Sequence, residues 1–174
     1  MSNVSISSEN TTESTAATGY FSDSDYDASY DAATASTINL SGSSATVSGD
    51  GVEVSGSVVT ISAEGTYIVS GSSENVQIVV NAADSAKVQL VLDNANMTGN
   101  NAAISVQEAD TVTVTLAEGS KNSISDSASN SNDEEDAAIF SKSDLVFNGS
   151  GSLSVKGQYN NAIESNDSLR ITGG

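Results

Sequence analysis

Residues 138–151 read AIFSKSDLVFNGSG and residues 162–174 read AIESNDSLRITGG. At an offset of 24 residues, without a gap, Ala138 falls on Ala162, Leu145 on Leu169, Phe147 on Ile171 and Gly149 on Gly173. Each copy holds two short apolar segments separated by Ser, Asn and Asp, the pattern of strands joined by tight turns. An earlier copy, NAAISVQEADTVTVTL, starts at Asn101 with two extra residues before its second strand. Self-similarity at a fixed period points to stacked structural units. At about 3.3 Å per residue, such a period traces up to about 80 Å, one closed turn around a narrow core. The repeat therefore predicts an all-β solenoid of parallel strands. Its inward positions are Val88, Leu90 and Leu92, then Val112, Val114 and Leu116, then Leu145 and Phe147, then Leu169 and Ile171. The alternative is an antiparallel β-sandwich, which short strands and turns alone also fit. The ungapped offset favours the solenoid.

The chain divides by texture. Residues 1–18 are rich in Ser, Thr and acids and contain no base. Such a segment buries too little apolar surface to offset its ordering entropy, so a disordered tail is expected. Residues 19–36 form an acidic leader carrying Tyr20, Phe21, Tyr26 and Tyr30, expected to pack its aromatics on the domain. Residues 37–174 are the repeat domain. A polar stretch near 118–135 interrupts it and reads as a surface loop insertion.

Composition narrows the chemistry. The 23 acids against five bases give a net charge of -18. That opposes nucleic acid, whose binding needs phosphates neutralised by basic side chains. Cations, or surfaces bridged by cations, are the natural partners. There is no His and no Cys, which removes imidazole and thiolate chemistry. No apolar run reaches membrane-spanning length, so no membrane insertion is expected. The start of the chain does not read as a signal peptide.

VVTISAEGTYIVSGS, KVQLVLDNANMTG, VTVTLAEGSKNSISD, DAAIFSKSDLVFNGSGSLSVKG and NNAIESNDSLRITGG follow one another in order. This series resembles the bacterial secreted carbohydrate-binding-domain proteins, which look like pectate lyases in fold. FSDSDYDASYD resembles that family's leader before its first strand. The resemblance implies a right-handed parallel β-helix, an extracellular or cell-surface location, bound calcium, and affinity for plant cell-wall polysaccharide such as cellulose or pectin. It does not imply catalysis.

Calcium takes six to eight oxygen ligands, mainly carboxylates, carbonyls and water. The run Asp133, Glu134, Glu135, Asp136 leads directly into the repeat at Ala137. Glu135 and Asp136 are the leading candidate ligands because they adjoin ordered strand. Asp133, Asp144 and Asp167 complete the candidate set. For carbohydrate, Tyr159 with Asn160 and Asn161 is the candidate contact, an exposed ring that stacks on a pyranose beside two amides. No pair of carboxylates stands out for glycoside hydrolysis. Lyase chemistry would also need a base beside the acids, and neither Arg170 nor a lysine adjoins them. The expected function is therefore a non-catalytic carbohydrate-binding module. The alternative is a structural solenoid whose copies stack end to end into filaments.

Overall fold

The computed structural model describes residues 2–7 and 20–174. Val, Ile and Thr are concentrated in the strands from residue 37 onward, and residues branched at Cβ pack well on a pleated surface. Their strands form three stacks. Stack one contains β2 (Ser36–Gly42), the first halves of β6 (Gly65–Glu74) and β8 (Lys87–Thr98), then β10 (Thr111–Leu116), β13 (Asp144–Gly149) and β16 (Leu169–Ile171). Stack two continues from the second halves of β6 and β8 into β11 (Lys121–Ser125), β14 (Ser152–Gly157) and β1 (Ser2–Ser7). Stack three runs through β4 (Val52–Ser55), β5 (Val58–Ile61), β7 (Gln77–Asn81), β9 (Ile104–Glu108), β12 (Ala137–Ser141) and β15 (Asn161–Ser165).

Pairing is parallel between successive repeats. Among the described residues it is antiparallel where β1 meets β14, β3 (Ser44–Ser48) meets β2, and β4 meets β5. The protein is all-β with mixed sheets, apart from one helical turn, α1 (Asp23–Tyr26). The parallel central ladders differ from those of the antiparallel sandwich alternative.

Register follows the sequence alignment. Val88 pairs with Val112, Val112 with Leu145, and Leu145 with Leu169. Ile139 pairs with both Ile104 and Ile163. Side chains alternate along a strand, so a shared register carries one burial phase through every layer. The expected inward residues from Val88 to Phe147 are buried in one continuous core. Leu169 and Ile171 are exposed instead, at 44% and 45%, because β16 has a paired neighbour on one side only.

Stacks one and two meet at a corner with left-handed backbone. Asn94 has φ 58° and Gly149 φ 95°. A Cβ on Gly149 would lie 2.2 Å from the Leu116 carbonyl oxygen, so only glycine fits there. Asn122 fastens the next layer. Its carbonyl accepts the Ala95 N–H at 2.9 Å, and its amide donates to the Ser152 carbonyl at 3.0 Å and the Ser120 hydroxyl at 2.9 Å.

Three boundaries differ from expectation. Ser2–Ser7 is not a disordered tail but a strand on the edge of β14, with Ile6 buried; the rest of the tail, residues 8–18, lies outside the described residues. Alternating Val4 and Ile6 supply the strand's apolar phase. The insertion near 118–135 is not all loop, since β11 lies inside it and pairs with β8 and β14. Its Ile124 alone reaches the core, too weak a signal against surrounding Ser and Asn. The leader does dock on the domain, but by polar contacts rather than its tyrosines. Replacing Asn122 with Ala leaves the buried Ala95 N–H unpaired, and urea unfolding is expected to show a loss of about 1–3 kcal/mol.

Candidate functional site

The loop from Asp126 to Asp136 lies against stack three. Asp126 is fully buried and accepts the Gln158 N–H at 2.5 Å. The buried Asn130 amide donates to the Asp126 carboxylate at 3.4 Å and to the Glu135 carbonyl at 3.1 Å. Beneath the loop, Ala102, Ala137 and Phe140 form a small second core. The loop is thus held by the buried Asn130 amide and by Gln158, and it delivers Asp136 to the start of β12.

At that point five candidate residues converge on one corner. The Asp136 carbonyl accepts the Asn161 N–H at 2.9 Å. Its carboxylate receives the side-chain amides of Asn160 and, at 3.4 Å, Asn161. The Tyr159 hydroxyl donates to Asp133 at 2.9 Å. A sixth group, Glu164, completes the corner, accepting the Asn161 amide at 3.0 Å. Glu164 was not a sequence candidate. It sits one residue past core Ile163, and its outward phase was readable from alternation.

The Asn161 amide bridges Asp136 and Glu164, and the two carboxyls shift each other's titration. Contact with Glu164 and donation from Asn160 hold Asp136 below its ordinary range. The same contact, burial and the Asp136 charge push Glu164 above its ordinary range. Two carboxylates in contact do not both ionise cheaply, which is why their titrations are driven in opposite directions. Hydrogen bonding to Asp133, and its charge, raise the Tyr159 phenol.

The other candidates lie elsewhere. Glu135 points along stack three, where Gln107 donates to it at 2.7 Å and Gln77 at 3.4 Å. Asp144 is on stack one in an ion pair with Arg170 at 3.1 Å. Burial pushes its carboxyl up, but hydrogen bonds from Ser168 and Arg170 outweigh that and hold it low. Asp167 is exposed between β15 and β16. Among the described residues, no three acids converge as a metal cluster. A cation at the corner would draw on the Asp136 and Glu164 carboxylates and the Asn160 and Asn161 side-chain oxygens, an all-oxygen donor set of the kind calcium accepts.

A second feature lies on the opposite side of the sequence. The leader crosses the outer face of stack one. The Asn148 amide donates to the Asp25 carbonyl at 3.3 Å and the Asp27 carbonyl at 2.9 Å. The Thr172 hydroxyl donates to Asp25 at 2.6 Å, and Gln89 to the Ser29 carbonyl at 3.2 Å. Arg170 pairs with the buried Asp25 carboxylate at 3.1 Å. Beside this strap opens a groove of about 490 Å³, lined by Tyr26, Tyr30, Thr115, Glu118, Asn148 and Ser150 among others. Both rings are exposed, Tyr26 at 50% and Tyr30 at 39%. The aromatic leader was visible in the sequence, but its partners lie 60 or more residues away and were not.

The comparisons with known proteins bear on this geometry. Residues 55–174, more than half of the chain, match the family described as carbohydrate-binding domain-containing protein. The chain belongs to that family. It is 34% identical over 116 residues to a carbohydrate-binding domain-containing protein of Acetivibrio thermocellus, a match covering 63% of this chain and 41% of the relative. A gadolinium derivative of the polysaccharide lyase-like protein from C. thermocellum superposes with a TM-score of 0.77 at 31% identity, over 80% of this chain and 59% of that one. The chain therefore spans about two fifths of the curated relative and three fifths of the solved one.

The carboxyl pair gives the corner a pH dependence. Asp136, held low, contributes stability that is present above its unfolded value of 3.8 and lost as pH falls through its folded value. Glu164, raised, acts in the opposite sense and loses its contribution as pH rises from its unfolded value of 4.5 through its folded value. Replacing Glu164 with Gln removes the second effect. Thermal unfolding across acidic and neutral pH is expected to show the variant gaining on the parent as pH rises.

Proposed function

We propose that this chain is an extracellular, non-catalytic carbohydrate-binding module for plant cell-wall polysaccharide, cellulose or pectin, assisted by calcium. Family membership supports carbohydrate binding. The observation that carries the reading is the strap groove, where the exposed rings of Tyr26 and Tyr30 stand beside exposed Ser150 and Glu118, over a floor that includes the buried Thr115 and Asn148. A sugar ring offers an apolar face for tyrosine and equatorial hydroxyls for such groups. We read the three stacks as the faces of a right-handed parallel β-helix, with parallel ladders joining one turn to the next. Tyr159, Asn160 and Asn161 are a second point of sugar contact on this reading. Calcium binds at the Asp136–Glu164 pair, where it replaces the Glu164 proton, with Asp133 near it through Tyr159.

Arg170 supports the absence of catalysis. It is the chain's single arginine, and Asp25 and Asp144 both hold it at 3.1 Å. A guanidinium clamped between two carboxylates serves poorly as a proton acceptor. That pair of contacts has a structural use, since it ties the leader to stack one.

Depletion of the protein by microcrystalline cellulose tests the groove. Tyr26→Ala with Tyr30→Ala is expected to weaken retention about tenfold, the scale of two lost ring contacts at 0.5–1 kcal/mol each. Both rings are exposed, so the melting temperature should stay within a degree or two of the parent. Undiminished retention by the double variant would exclude the groove. Calcium is expected to raise the melting temperature of the parent in proportion to occupancy, and more at neutral pH than near pH 4.5, where Glu164 keeps its proton. Asp136→Asn with Glu164→Gln should abolish that rise; if it persists, calcium binds elsewhere.

A further inference from the structure

Stack two carries a strand that the repeat does not supply. β6, β8, β11 and β14 pair with one another in parallel, as successive turns of a repeat do. β1 lies on the other edge of β14 and runs antiparallel to it. It comes from the far end of the chain and sets Val4 opposite Val155 and Ile6 opposite Leu153. All of Ser2–Ser7 pairs without a shift in register, so the edge it covers is straight. This is the geometry of strand addition, in which a preformed sheet edge takes an extended segment and alternate side chains set its phase.

The edge is built without β1. Leu153 and Val155 are buried in the core, and β11 holds β14 from the opposite side. What β1 brings is small. Ile6 is its one buried apolar side chain, and Val4 packs half-buried beside it. The Ser2 hydroxyl donates to the Asn160 carbonyl at 3.5 Å. Ser2–Ser7 contains no acid and no base, in a chain with 23 acids, and the charge on β14 is Lys156 alone. Sheet edges are commonly guarded against other chains by charges, proline or bulges. On β14 the guard is the added strand itself.

The same pairing is open to a second molecule. A strand supplied by another copy makes the contacts that the chain's own strand makes, so the two arrangements differ chiefly in the concentration at which the strand is presented. Residues 8–19 join β1 to the leader. A tether of that order presents its strand at about millimolar concentration. Exchange therefore competes once copies of the protein are crowded to a similar level.

We infer that the β14 edge is a strand-acceptor site through which two copies of this chain associate, each giving its Ser2–Ser7 strand to the other. The dimer is closed, because both acceptor edges are then filled and no third copy can join through them. The site selects a segment with branched apolar residues two apart, as Val4 and Ile6 are, since a slip of one residue would turn both to solvent. This association is independent of what the module binds.

A cysteine pair reports which copy supplies the strand. The chain has no cysteine of its own, and Ser5 and Ser154 lie opposite each other, both exposed. The full chain carrying Ser5→Cys and Ser154→Cys is equilibrated over a range of concentrations, oxidised, and run on a denaturing gel without reductant. Near 1 µM the bond is expected within one chain; toward about 1 mM a linked dimer should rise to about half of the protein. Adding Ile6→Asp should abolish both bonds, while cooperative thermal unfolding verifies that the rest of the fold stands. A labelled peptide of residues 2–7 should bind the Ile6→Asp protein at least about tenfold more tightly than the parent, whose own strand competes for the edge. A bond that stays within one chain at every concentration overturns the exchange. No bond at all, or equal peptide binding by the two proteins, overturns the acceptor edge itself.

Discussion

The backbone ladder that sets Val88 over Val112, and Val112 over Leu145, fixes where every other side chain goes. Parallel pairing leaves no freedom of phase: a slip of one residue would turn Leu90, Val114 and Phe147 out to solvent and bring Gln89, Thr113 and Val146 into the core. The apolar column forbids that exchange. Each outward residue is consequently held in a straight row, whatever its own chemistry. On stack one the result is a chain of hydrogen bonds that steps from the Thr66–Gln89 row to the adjoining Thr115–Asn148 row. Thr66 donates to Gln89 at 2.9 Å, Gln89 to Thr115 at 3.0 Å, and Thr115 to Asn148 at 2.7 Å. The core sets the positions, and the surface row uses them.

That row explains why an acidic, Ser-rich leader docks at all. It brings little apolar area, and its aromatics stay largely exposed. Its carbonyls instead meet amides and hydroxyls already ordered by the sheet, so the entropy of fixing those donors has been met by the core. Asp25 adds the one charged contact. It is buried, and Arg170 satisfies it from a strand of the domain. The strap then creates the groove that the flat face of stack one lacks.

Legibility in the sequence followed the same division between local and distant. The copies at Ala138 and Ala162 gave the register outright, because both apolar phase and glycine position repeat at one offset. β1 and β11 were lost because each carries only one or two apolar residues among serines, and their pairing partners decide their conformation. At the corner, Asp136, Asn160 and Asn161 were readable because each adjoins a strand start. Asp144 and Asp167 were not separable from them by sequence. Both are acids near the same repeat position, yet one lies on stack one beside Arg170 and the other in an exposed turn. Asp25 as the partner of Arg170 was beyond reach, since the two lie at opposite ends of the chain.

The net charge of -18 therefore describes the molecule poorly as a binding partner. Acids on the leader are consumed by Arg170 and by local turns, as where Asp27 accepts the Ser29 N–H at 3.0 Å and hydroxyl at 2.6 Å. Acids on the loop are met by Gln77, Gln107, Asn160 and Tyr159. Two acids, Asp136 and Glu164, share one corner, and Lys121 and Lys156 leave stack two without an ion pair. Interactions beyond about 10 Å are screened at ordinary salt. A ligand thus feels one face at a time, and three faces built on one register can present three different chemistries.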